Sequence, residues 1–185
     1  LRDQLSAAGI GVDRAHPLFL HLPCGVGGAP GGITFGARHV FGDDAHCFFA
    51  EPTEAPCMLL GLLTRKHETV SVYDIGLKLA TQADGLAVPR PSALVCGIMD
   101  QLVSGCYTVT DVQMFALLKD LYETERMEIE PSAAAGCAGP AMLTGSGIGR
   151  DYLRRHAAAN GTHIVWTTGG ALVPADQHAA FRSKT

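Results

Sequence analysis

An apolar run, a turn, then a stretch with helical spacing: this order recurs along the chain and limits its fold more than any single residue does. "PLFLHL" (17–22), "AHCFFAEP" (45–52), "CYTVTD" (106–111) and "THIVWTTGG" (162–170) read as buried strands. "GITFGARHVF" (32–41), "CMLLGLLT" (57–64), "SALVCGIMDQLVSG" (92–105) and "DVQMFALLKDLYETER" (111–126) read as helices. Asp111 is expected to cap the last of these, and Ser92 the one before it. "MEIEPSAAAGCAGPAML" (127–143) predicts a short strand and then a helix of small residues, and residues 1–9 the end of an amphipathic helix stopped at Gly9. Strand–helix alternation of this kind predicts an α/β fold with a mostly parallel sheet flanked by helices. A length of 185 residues fits a single domain.

Composition narrows the function. Apolar residues make up 47% of the chain and charged residues 17%, so it has the means to bury a large core. The net charge of −4, with no run of Lys or Arg, disfavours nucleic acid and anionic membrane as partners. No apolar run approaches the roughly 20 residues that span a bilayer. The six cysteines show no C-x-x-C spacing and read as buried thiols of a reducing compartment, hence a cytoplasmic location. The eight histidines show no H-x-x-x-H pair and read as exposed or singly satisfied. No G-x-S-x-G elbow is present; "TGSGIG" (144–149) reads as a loop or a helix start.

In a parallel sheet, ligands gather at the carboxyl ends of the strands. Three loops belong there. "CGVGGAPGG" (24–32) carries five glycines, and successive N–H groups in such a turn can point inward to hold an anion at a helix N-terminus. A phosphate monoester held by main-chain dipoles needs no lysine, and the loop contains none. It is neither a dinucleotide fingerprint, since Pro30 stands where the third glycine belongs, nor a Walker loop. A tight connection between packed elements would use the same residues. The second loop, "AEPTEAPCM" (50–58), places Glu51 directly after an apolar strand, where its charge calls for a cation with carbonyl ligands or for backbone donors. The third, "WTTGG" (166–170), places Thr168 where its hydroxyl either reaches a heteroaromatic nitrogen or satisfies the turn.

"LPCGVGGAPGG", "CFFAEPTEAPCMLLG", "SVYDIGL", "ADGLAV", "EPSAAAGCAGP" and "HIVWTTGG", in this order over nearly the whole chain, resemble the carboxyl-terminal part of the bacterial D-serine dehydratase family. These are pyridoxal-phosphate enzymes of fold type II, related to the tryptophan synthase β-chain. The resemblance implies that Cys24, Gly25, Val26, Gly27 and Gly28 hold the cofactor phosphate, that Gly85 and Leu86 line its side, and that Thr168 faces the pyridine nitrogen. Glu51, the Ala55 carbonyl and Cys57 resemble a monovalent-cation site, with K+ the implied ion. The implied reaction is β-elimination, D-serine giving pyruvate and ammonia.

The family's Schiff-base lysine belongs to a segment upstream of this portion. Lys66, Lys78, Lys119 and Lys184 all lack its context, so no catalytic residue is expected within these 185 residues. The chain opens at Leu1 rather than methionine and is expected to be the second portion of a longer protein, monomeric when complete. Alone it is expected to be inactive. The alternatives are another fold type II activity (L-serine or L-threonine dehydratase, serine racemase) and a non-catalytic fragment that binds a phosphorylated ligand.

Overall fold

The computed structural model describes residues 1–156 and 158–184. Helix α1 (Arg2–Ala7) leads to β1 (Leu18–Pro23), α2 (Gly28–Phe41), β2 (Ala45–Pro52) and α3 (Cys57–Thr64). Three short 3-10 turns at 67–69, 72–75 and 84–86 precede α4 (Ala93–Leu102) and β3 (Gly105–Val109). Then come α5 (Asp111–Glu125), α6 (Pro131–Ala134), α7 (Gly139–Gly145), α8 (Gly147–Arg155), β4 (Thr162–Val165) and α9 (Ala175–Arg182). The four strands form one sheet in the order β3-β2-β1-β4, and every pairing is parallel. The expected α/β architecture is the observed one.

Side-chain alternation along β1 divides the core in two. Leu18, Leu20 and Leu22 join Cys47, Phe49, Met58, Cys96 and Met99 on the face covered by α2, α3 and α4. Phe19 joins Phe48, Tyr107, Met114, Leu118 and Ala134 on the face covered by α5 and α6. Each large apolar side chain buried this way contributes roughly 1.5–3 kcal/mol. All six residues of β1 are buried because helices cover both faces of this central strand, which explains why the run lacks polar alternation.

The path of the chain positions the site. From β1 it steps outward to β2 and β3, then returns across the sheet to β4 on the other side of β1. The carboxyl ends of β1 and β4 therefore flank a topological switch point, where parallel sheets open a crevice.

Three local expectations are corrected. Helix α2 begins at Gly28 and not at 32, so Pro30, Gly31 and Gly32 are helical; Pro30 lies in the first turn, where its missing N–H costs nothing. Gly31 is required by packing, since a Cβ there would come within 2.5 Å of Val95 Cγ1. The cap of α5 is Thr110, whose hydroxyl accepts the Gln113 N–H, and the Gln113 side chain answers by accepting the Thr110 N–H. Asp111 instead accepts from the Thr81 hydroxyl at 2.5 Å and the Gln82 N–H at 2.8 Å, tying the 81–83 loop to α5. Residues 127–130 form no strand; their backbone meets the end of the sheet through one bond, Glu130 N–H to the Gly169 carbonyl at 3.2 Å.

Candidate active site

The turn after β1 has its carbonyls and its amides pointing to different fates. The Gly25 carbonyl accepts from the thiols of Cys57 at 3.4 Å and Cys24 at 3.5 Å. The Val26 carbonyl accepts the Ser92 N–H at 2.9 Å, and the Gly27 carbonyl accepts the Gly31 N–H at 2.8 Å. By contrast, none of the N–H groups of Gly25, Val26, Gly27 and Gly28 donates to an acceptor among the described residues. Four consecutive orphan donors at the start of a 14-residue helix form a concentrated positive end. Gly27 reaches this geometry with φ of 105°, and a Cβ on it would lie 2.4 Å from Met58 Cε. A Cβ on Gly28 would meet nothing within 4 Å. Ala29 is not among the residues of positive φ, so its methyl group needs no special allowance.

The Gly85–Leu86 turn presses directly on this loop. A Cβ on Gly25 would come to 3.0 Å from the Gly85 carbonyl oxygen and 3.3 Å from Leu86 Cα. Behind Gly85 stands Ser132, buried in the first turn of α6, with a hydroxyl that has no hydrogen-bond partner among the described residues. Ser132 does not stand out in the sequence. Its one signal is the sequence "EPS", which reads simply as a helix start with Pro131 at the first position.

Glu51 leaves β2 fully buried and reaches the N-terminus of α3. Its Oε1 accepts the Met58 N–H at 2.7 Å, and its Oε2 accepts the Leu59 N–H at 2.8 Å. Burial pushes this carboxyl from 4.5 up to about 8, opposed by the two amides. No Lys or Arg among the described residues forms an ion pair with it. The Ala55 carbonyl accepts the Cys57 N–H at 3.0 Å. No cluster of three or more His, Cys, Asp and Glu arranged to hold a metal occurs among the described residues. The thiols here stay protonated: burial raises Cys24, with Glu51 adding to it, and the same two causes push Cys57 up to about 12.

Thr168 lies past β4 with an exposed side chain. The glycines after it are fixed by contact. A Cβ on Gly169 would lie 2.6 Å from a Glu130 carboxylate oxygen, and Gly170, with φ of 137°, is packed against Ile129. The loops holding Gly25, Glu51 and Thr168 thus all leave carboxyl ends of adjacent strands, as expected. None of the four lysines lies on them.

Four histidines meet in pairs that their sequence spacing does not show. His21 Nε2 and His163 Nδ1 are 2.9 Å apart in stacked rings. His46 and His156 also meet, with ring centroids 4.5 Å apart.

The sequence profile of the family described as "pyridoxal-phosphate dependent enzyme" matches residues 12–151. A protein named "Probable D-serine dehydratase" from Burkholderia lata is 52% identical over 185 residues, covering 99% of this chain and 42% of that protein. One of the same name from Halalkalibacterium halodurans is 53% identical, covering 98% and 41%. The chain spans about two fifths of the length of these curated relatives. Among solved structures, a fungal L-serine ammonia-lyase from Rhizomucor miehei superposes with a TM-score of 0.74 at 17% identity, covering 99% of this chain and 53% of that one. Maize serine racemase superposes with a TM-score of 0.69 at 18% identity, covering 100% and 52%. Both share the fold.

Proposed function

The chain belongs to the family of pyridoxal-phosphate dependent enzymes, and on that premise we propose that it is the carboxyl-terminal part of a D-serine ammonia-lyase. The reaction converts D-serine to pyruvate and ammonia. The D-serine assignment is supported by the name that relatives at about half identity carry over nearly the whole chain. The observation that carries the site is the division of the 25–28 turn into satisfied carbonyls and unpaired amides. That turn suits a phosphate group: four consecutive N–H groups lack an acceptor among the described residues, and a helix N-terminus favours negative charge.

The chemistry that the cofactor supplies is an electron sink for the substrate's α-carbon. The residues of this chain hold and orient it. Amides of Gly25, Val26, Gly27 and Gly28 bind the phosphate. The Gly85–Leu86 turn, braced by Ser132, sets the wall beside it. Thr168 offers a neutral hydroxyl to the pyridine nitrogen, which leaves that nitrogen without the proton a carboxylate partner would hold; a weaker sink favours loss of a β-hydroxyl over transamination. Glu51 anchors α3, and each of its oxygens keeps a lone pair for a monovalent cation near the Ala55 carbonyl. Burial keeps this carboxyl protonated up to about pH 8, and a cation there would hold it ionised instead.

Pyruvate formation by the full-length holoenzyme from each serine enantiomer tests the reading. Turnover of D-serine well above that of L-serine supports it. Preference for L-serine assigns a sister activity on the same fold. Absence of pyruvate from both, with no borohydride-reduced lysine adduct, leaves a ligand-binding protein without this chemistry.

A further inference from the structure

A second cavity lies at the other end of the sheet. It has a volume of about 620 Å3 and opens where β1, β2 and β3 begin, beside Pro17, His46 and Ser104. At about 3.3 Å per residue, the six residues of β1 separate it from the glycine turn by roughly 20 Å. Such a volume suits a small molecule.

Its charge is what calls for a ligand. Arg14, Arg38 and Arg155 line it, against the carboxylates of Asp43 and Asp44, leaving an excess of one positive charge. Arg38 is fixed in place, donating to Asp43 at 2.6 Å and to the Ala45 carbonyl at 3.3 Å. No carboxylate among the described residues pairs with Arg14 or Arg155. Arg155 instead donates to the Asp151 carbonyl at 3.3 Å and lies 6.0 Å from the centre of the Tyr152 ring.

The aromatic wall adds no anionic charge. Tyr152 bonds His46 Nδ1 at 2.8 Å and stacks on His156 with centroids 4.3 Å apart. Burial, then the neighbouring imidazole and Arg38, hold His46 down at about 4; burial and then Arg155 lower His156. Both rings are neutral near pH 7 and neither add to nor offset the arginine charge.

We propose that this cavity is a second anion site, remote from the glycine turn, for a small organic molecule bearing a carboxylate or phosphate group. Arg14 and Arg155 supply planar forks that suit either group, and preorganised Arg38 forms the back wall.

The test is calorimetric titration of the full-length holoenzyme, its cofactor bound so that the glycine turn is already filled. Inorganic phosphate and succinate serve as separate probes. Saturable binding of either in roughly the millimolar range is expected, and the probe that binds identifies the group recognised. The double variant Arg14→Gln/Arg155→Gln should bind at least about tenfold more weakly, with unchanged cofactor absorbance and thermal midpoint. The His156 ring resonances should titrate at higher pH when the site is filled. No saturable binding of either probe, or binding unaltered in the double variant, would overturn the proposal.

Discussion

Gly25 and Gly85 meet backbone to backbone: a Cβ on Gly25 would stand 3.0 Å from the Gly85 carbonyl oxygen. The contact leaves no room for a side chain on Gly25; the carbonyls of Gly25 to Gly27 are bonded within the fold, while the amides of 25–28 have no acceptor among the described residues.

Gly27 carries the sharpest consequence. With φ of 105° and 2.4 Å between a would-be Cβ and Met58 Cε, Gly27→Ala should twist the turn and misdirect its donors. The left-handed conformation alone costs about 1–2 kcal/mol. Cofactor titration of the full-length protein, read by absorbance, should show affinity reduced at least about tenfold. Gly28→Ala, with open space at its Cβ, should be mild.

In its proposed role, Thr168 would meet the pyridine nitrogen with a hydroxyl. Thr168→Asp would protonate that nitrogen and lower D-serine turnover, by at least about tenfold, or 1.4 kcal/mol of barrier. Thr168→Ser should retain most of the rate. Equal turnover in the aspartate variant would remove Thr168 from its role.

Glu51 makes stability depend on pH. Its carboxyl titrates near 8 when folded, against an ordinary 4.5. Between those values the folded chain holds a proton that the unfolded chain has lost, so stability is full below about pH 4.5 and falls as pH rises toward 8. Urea midpoints in potassium-free buffer should record this fall, at least about 1.4 kcal/mol, and Glu51→Gln should abolish its slope. Added potassium should flatten the slope in the parent if a cation sits beside the carboxylate; an unchanged slope would argue against that cation.

The His21–His163 pair has the opposite sign. Burial, then the neighbouring imidazole, depress His21 from 6.5 to about 3, and burial lowers His163. The pair's stability is intact above about pH 6.5 and declines as acid approaches the folded value, because the unfolded chain takes up protons first. His163→Phe keeps the stacking on Phe19, whose ring lies 4.7 Å away, but orphans His21 Nε2. Thermal unfolding at pH 7 should register a loss of about 1–3 kcal/mol, with a shallower acid slope below it.

Much of this was legible in the sequence because it is local. The bounds of β2 and α3 follow from an apolar run ended by Pro52 and resumed at Cys57. The start of α2 was misread because Gly28, Gly31 and Gly32 resemble a flexible turn, whereas Gly31 is small to admit Val95. The imidazole pair was invisible: His21 and His163 are 142 residues apart and meet only through the register of β1 against β4. Gly139 belongs with them, since a Cβ there would stand 1.9 Å from His21 Nδ1. Ser132 escaped notice for a related reason, as its orphan hydroxyl acquires meaning only beside Gly85.

A crystal structure of the full-length protein with pyridoxal phosphate bound would test the main-chain cradle most directly. We predict phosphate oxygens within about 2.7–3.2 Å of the amide nitrogens of Gly25 to Gly28. A phosphate gripped instead by lysine or arginine side chains, with those four amides facing solvent, would contradict the account.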